Sequence, residues 1–336
     1  MSVRVFRSMW LVVVVAMACV VSSCDGRRAR YVEVRGEALG TQVQLKCCTD
    51  KSEQELVSMI RKIDIEAKAS MSIFNPESLL SRVNRNETDS LDLHIIRNIE
   101  LAERFSVLSG GAYDITIKPL TDAWGFGRER RGRKPNVDSL LQFVGYDMIS
   151  VEGNRLIKGD SRVELDLNSV AKGYTVDLVA EELEAMGVTN YMVNIGGEVR
   201  TKGVNDRGAL WSIGIETPYD GNMAQDSLEK IITLDDEAVA TSGNYRRFYL
   251  TEDGSKVAHT IDPVTGYSVV SELLSVTVVA PTCAEADAAA TMFMAMGSKE
   301  ATLVLAEECE RNYGWRYYFI YADGEGYRVE CSEAFR

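Results

Sequence analysis

Asp287 and Thr291 stand four residues apart in CAEADAAATMFMAMG (283–297), a run otherwise dominated by alanine, methionine and phenylalanine. On a helix the two share a face. A carboxylate in so apolar a segment is costly to desolvate unless it gains a partner. Magnesium takes oxygen ligands, usually one or two carboxylates together with the phosphates of its substrate, and a carboxylate with a hydroxyl one turn on supplies two of them. The small side chains of Ala288, Ala289 and Ala290 are expected to leave room for such a ligand. The segment alone serves equally well as a buried helix in which Asp287 pairs with a backbone group.

Three other stretches carry chemistry. In DLNSVAK (166–172) a strand-like run turns into a helix, and Lys172 puts a positive charge in the first turn, where the helix dipole favours an acid. Anion binding at Asp166, Asn168, Ser169 and Lys172 explains that choice, while a plain Asn168 or Ser169 cap with a solvated lysine is the competing account. In GGAYDITIKPL (110–120) the glycines either stop a helix or let backbone approach a ligand, with Ala112, Tyr113 and Asp114 beside it. In HTIDPVTG (259–266) turn chemistry accounts for Asp262, Pro263 and Gly266, whereas His259 is placed to act as a base or as a donor to a ligand.

Helices and strands must bring these stretches together. YVEVRGEALGTQVQL (31–45) reads as a strand pair broken near Gly36 and Gly40. Ser52 with Glu55 forms a capping box ahead of a stripe of Leu56, Met59, Ile60 and Ile63. Asn75 and Pro76 start a short helix carrying Leu79, Leu80 and Val83, and a longer one over 93–108 stops at Gly110 and Gly111, with His94 solvated near its start. VELDLNS (163–169) reads as a strand, followed by a helix with Val176, Val179, Leu183 and Met186 at helical spacing. YMVNIGG (191–197) is a buried strand running into paired glycines, and LLSVTVVA (273–280) precedes the alanine-rich helix. GFGRERRGRKP (125–135) is a basic island, either a solvated loop or a phosphate contact. No internal repeat or long linker separates these elements, and the class is α+β.

Composition narrows the choices. The 336 residues carry a formal charge of −13. Arginines at 4 and 7, an apolar run over 10–21, and Ser22, Ser23 and Cys24 read as an export leader with a bacterial lipobox, cleaved before Cys24 with lipid attached to its sulfur. Residues 24–30 would tether a domain spanning 31–336. Removing residues 1–23 loses two arginines and no acid, which takes the charge from −13 to −15 and argues against a nucleic-acid partner. Only His94 and His259 are histidines, so zinc or iron held by imidazoles is disfavoured, and the cysteines after Cys24 have no zinc spacing.

Together, and in this order, these pieces resemble the ApbE family of FAD:protein FMN transferases. The resemblance is carried by MSIFNPESLLSRVN (71–84), GGAYDITIKPLTDAWGFG (110–127), DLNSVAKGYTVDLVAEEL (166–183), VNIGGEV (193–199), TSGNYRRFY (241–249), HTIDPVTG (259–266) and EADAAAT (285–291). It implies an α+β fold of mixed sheets and packed helices in two closely associated subdomains. It also implies FAD contacts at Leu39, Phe74, Ala112, Tyr113, Asp114, Asp166, Lys172, His259 and Ile261, and Mg²⁺ at Ser169, Asp287 and Thr291. The implied reaction moves FMN from FAD to a threonine hydroxyl of a partner, with AMP released, His259 handling the attacking proton and Asp287 the metal. The implied acceptor is a membrane redox subunit. The enzyme would be exported and lipid-anchored to a bacterial membrane, facing the periplasm. Departures from the family are Leu39 where methionine is common, Phe74 where tyrosine is common, and Ala290 where some members carry an acid. FAD hydrolysis to FMN and AMP, and a non-catalytic FAD-binding lipoprotein, are the competing expectations.

Overall fold

The computed structural model describes residues 29–127, 135–218, 228–243, 248–250, 256–324 and 326–335. The expected leader, Cys24, the tether up to residue 28, most of the arginine-rich island and residues 244–247 of the TSGNYRRFY motif lie outside them.

In chain order, β1 (Arg30–Ala38) and β2 (Thr41–Thr49) precede three helices, α1 (Glu53–Met71), α2 (Leu79–Asn84) and α3 (Leu93–Leu108). Short helices α4 (Lys118–Ala123) and α5 (Val137–Leu140) and a small hairpin, β3 (Ile149–Glu152) with β4 (Arg155–Lys158), lead to α6 (Ala171–Ala185). Then come β5 (Tyr191–Ile195), β6 (Glu198–Lys202), β7 (Trp211–Glu216), β8 (Leu228–Leu234) and β9 (Ala238–Gly243). The chain closes through β10 (Phe248–Leu250), β11 (Lys256–Ala258), β12 (Leu273–Ala280), α7 (Cys283–Ala295), α8 (Lys299–Tyr313), β13 (Arg316–Asp323) and β14 (Gly326–Cys331). Eight strands form one sheet in the order β1-β2-β5-β6-β9-β12-β13-β14. Each of its ladders is antiparallel, so the mixture in this α+β fold is of helix with sheet.

The sheet is buried on both faces at its centre, and side-chain alternation assigns each residue to a layer. Val276, Val278, Tyr317, Phe319 and Tyr321 pack with α3 and α7, whereas Val279, Tyr318 and Ile320 pack on the other face with Ile215, Ile232 and Leu234 of the β7–β8 hairpin. Further along, Val43, Leu45, Val193 and Ile195 meet Leu56 and Ile60 of α1 and Val176, Val179 and Leu183 of α6. The α1 cap forms as expected, Ser52 and Glu55 each accepting the other's backbone N–H, with Leu56, Met59, Ile60 and Ile63 buried behind it.

Several local expectations are corrected. Gly36 lies inside β1 opposite Val43, and the strand pair turns at Leu39–Gly40. Asn75 starts a turn in which its side chain accepts the Glu77 N–H, so α2 begins after the Ser78 cap. VELDLNS is not a strand: Glu164 makes an isolated bridge to Ile117, while the Asn84 amide takes both the N–H and the C=O of Leu165 at 2.8 Å. A side chain thus satisfies the backbone that a ladder would otherwise pair. His94 is half-buried, hydrogen-bonded to the Tyr174 hydroxyl at 3.0 Å. Among the described residues no helix is long and apolar enough to cross a membrane.

Candidate active site

Two hairpin tips lie side by side at one end of the sheet. The β5–β6 turn, Gly196–Gly197, has both residues at positive φ, as tight antiparallel turns demand. Its Gly196 N–H donates to the Gln42 carbonyl at 2.9 Å, and a side chain there would strike Thr41. The β1–β2 turn places Leu39 at φ 53, an unfavourable region for a residue with a branched side chain, and Asp64 of α1 holds its N–H at 2.7 Å. Above these tips the C-terminal end of α1, the N-terminal end of α6 and one face of α7 enclose a cavity of about 940 Å³.

Leu39, Phe74, Ala112, Tyr113, Asp114, Asp166, Ser169, Lys172, His259, Ile261, Asp287 and Thr291 all line this cavity. Residues from six separate stretches of chain thus meet in one space. Helix α7 is buried nearly all round and shows the cavity a single stripe, Asp287, Thr291 and Ala295. Ala288, Ala289 and Ala290 do not make room for a ligand; they are fully buried in the core. Their small size, like that of Gly173 on α6, lets backbones pack closely. A Cβ at Gly173 would lie 2.3 Å from the Cys283 carbonyl oxygen and 2.8 Å from the Asp287 Cβ.

That approach fixes Asp287. It is 4 % exposed, and its Oδ2 accepts the Gly173 N–H, a first-turn donor of α6, at 2.9 Å. Burial raises its pKa, with the Lys172 ammonium acting in the opposite sense. Asp177 locks the same two helices from further along, accepting the Cys283 and Ala284 N–H groups at 2.9 and 2.8 Å while pairing with Arg200 at 2.8 Å.

The junction before α6 is capped differently from expectation. Val170 is the N-cap and supplies no side-chain bond. Asp166 Oδ1 instead accepts the Asn168 N–H at 2.9 Å, and Ser169 Oγ shares a 2.8 Å hydrogen bond with the Tyr113 hydroxyl. Tyr113 is buried with its ring against Phe105, so it meets the cavity as part of the wall rather than as an open stacking face. Asp114 turns its Oδ1 back to the Thr116 N–H and hydroxyl, both at 2.7 Å, and burial raises its pKa. Thr291 Oγ1 lies 3.3 Å from Ser242 Oγ. His259 is half-buried with its ring edge-on to Phe126, and the turn after it closes through Asp262 as expected.

Glu198 is the participant that sequence reasoning missed. It is 2 % exposed, opens β6 directly after the glycine turn, pairs through Oε1 with Lys172, and leaves Oε2 buried without a hydrogen-bond partner. Burial raises its pKa; Lys172 opposes that shift and Asp287 adds to it. The only available signal was an acid immediately following paired glycines.

The donor set suits magnesium. Asp287, Thr291 and Ser169 offer hard oxygens to one cavity, yet among the described residues no three His, Cys, Asp or Glu side chains are grouped to hold an ion. An ion here would complete its shell with ligand phosphates, which is magnesium's habit. The orphaned Glu198 oxygen marks a place short of positive charge.

The sequence of residues 39–313 matches the family model described as ApbE family. The chain is 35% identical to the FAD:protein FMN transferase of Haemophilus influenzae, covering 97% of this chain and 96% of that one. It is also 35% identical to the protein of that name from Vibrio cholerae, over 88% and 90% of the two. Among solved structures, the flavin transferase ApbE from Vibrio cholerae superposes with a TM-score of 0.80 at 33% identity, covering 91% of this chain and 98% of that one. The apo flavinyl transferase ApbE from Pseudomonas stutzeri also gives 0.80, at 29% identity and 92% and 96% coverage. On these matches, spanning the whole fold and the cavity it encloses, the chain belongs to the ApbE family.

Proposed function

We infer that this protein transfers FMN from FAD to an acceptor protein. The observation that carries the inference is the assembly of Asp287, Thr291, Ser169, Lys172 and His259 around one cavity of about 940 Å³, in a chain whose relatives bear the transferase name. That volume lies in the range of small-molecule and cofactor sites.

The reaction forms one bond from an acceptor hydroxyl, a threonine in our proposal, to the FMN phosphorus and breaks the bond from that phosphorus to the AMP oxygen. No electrons move. His259 takes the hydroxyl proton, a role suited to an imidazole that lines the cavity. Lys172 and the first turn of α6 set positive charge beside the pyrophosphate. Phe74, half its surface exposed at the cavity, and Ile261 offer apolar contact to the flavin. Asp287, Thr291 and Ser169 would hold Mg²⁺, which supplies charge neutralisation to the departing phosphate.

The Cys24 lipobox supports an exported enzyme anchored by lipid to a bacterial membrane, and such an anchor would set the cavity near a membrane redox subunit as acceptor. Incubation with FAD, Mg²⁺ and a threonine-bearing redox subunit, followed by a denaturing gel, tests the reading. A fluorescent acceptor band supports transfer. Free FMN with a dark acceptor would replace transfer by hydrolysis, and intact FAD would leave a binding protein.

A further inference from the structure

Three buried or half-buried charges from three elements face one another in the cavity: Lys172 on α6, Glu198 on β6 and Asp287 on α7. There is one ammonium for two carboxylates. We propose that Glu198 is a positioning residue that holds the Lys172 ammonium on the sheet side of the cavity and so keeps the Asp287 carboxylate open to a divalent cation. The proposal rests on the assignment of Asp287 as a metal ligand.

The backbone sets the competition. Lys172 immediately precedes Gly173, whose N–H grips Asp287 at 2.9 Å, so the lysine stem starts beside the carboxylate it must leave free. The Asp287 charge acts on the ammonium alongside that of Glu198, its actual ion-pair partner. A half-buried ammonium beside two carboxylates will pair with one of them, and a lysine stem is flexible enough to choose between two. Asp177 is no alternative, being taken by Arg200 and two α7 N–H groups.

Glu198 is well placed to win. It occupies the first position of β6, opposite Ile195, behind a glycine turn bonded to β2 through Gly196 and Gln42. Its location is set by the sheet, through the pairing with Ile195 and the glycine turn behind it. Without it, the Lys172 ammonium would fall to Asp287 and cover the oxygens an ion requires.

Mn²⁺ binding to the full chain without FAD, followed by loss of the free-ion electron paramagnetic resonance signal, reads this directly. If Lys172 covers Asp287 nine-tenths of the time in Glu198→Gln, the apparent dissociation constant rises about tenfold. Removing the competitor as well, in Lys172→Met/Glu198→Gln, is expected to bring affinity back to within about twofold of the parent. Lys172→Met alone is expected to bind Mn²⁺ at least as tightly as the parent, which keeps the proposal testable if Glu198→Gln melts early. Unchanged affinity in a folded Glu198→Gln overturns the proposal. So does a double variant as weak as Glu198→Gln, since that would make Glu198 itself a ligand, and so does weaker binding by Lys172→Met. Absence of saturable Mn²⁺ binding by the parent removes the metal assignment and the proposal together, an outcome distinct from the other three.

Discussion

Asp287 can be probed without disturbing its neighbours only if its hydrogen bond survives. Asn keeps an oxygen for the Gly173 N–H, whereas Ala would leave that buried donor empty. Asp287→Asn is therefore expected to melt close to the parent and to lose transfer by at least about 10²-fold, the scale of a lost transition-state charge contact; full transfer in this variant defeats the metal assignment. His259→Ala is expected to retain FAD, checked by flavin fluorescence quenching, and to lose about 10²–10⁴ in rate, the usual worth of a general base. At this scale the sequence was readable wherever chemistry is local. Asp287 and Thr291 are one turn apart, and Asp262 closes its turn within three residues. Glu198 with Lys172 was not, because the pairing joins a strand to a helix through a fold that neither residue announces.

The elements that carry these residues are held by close approach rather than by bulk. Gly173→Ala would press a methyl into the Cys283 carbonyl and Asp287, so α6 and α7 must separate; overpacking of this kind costs about 1–3 kcal/mol and should lower the melting temperature and metal affinity together. Asp177→Ala takes from Arg200 its 2.8 Å partner, leaving it only Glu184 at 3.8 Å, and strands two α7 N–H groups in a largely buried setting. Breaking such a pair costs about 3–5 kcal/mol, read as a drop in the urea midpoint. Helices with their own caps and apolar stripes, α1 and α3 above all, were legible because those signals lie within the helix. The stretch 163–169 was misleading for the opposite reason. Its alternation matched a strand, but the Asn84 side chain, some eighty residues earlier in the chain, took the place of the ladder.

On the scale of the molecule, an acidic protein of charge −13 would take the anionic ligand FAD into a cavity lined by three buried carboxylates, Asp114, Glu198 and Asp287. The long-range field opposes that ligand, and a bound cation would reverse the balance locally. FAD is accordingly expected to raise the melting temperature with Mg²⁺ present, by an amount corresponding to about 2.7 kcal/mol at a hundredfold excess over its dissociation constant, and EDTA should abolish most of the gain. An equal gain with and without chelator would mean that the protein alone balances the pyrophosphate. The cavity as a whole was legible only as an ordered set of motifs: no single segment forms it, and its walls come from hairpin tips and helix ends far apart in the chain.

The most direct test is the intact mass of a threonine-bearing acceptor after incubation with this protein, FAD and Mg²⁺, with AMP measured alongside. Cation-assisted transfer predicts an acceptor heavier by one FMN less one water, one AMP per modified chain, and neither product once the metal is chelated. An unmodified acceptor beside intact FAD, or modification that persists undiminished under chelation, would contradict it.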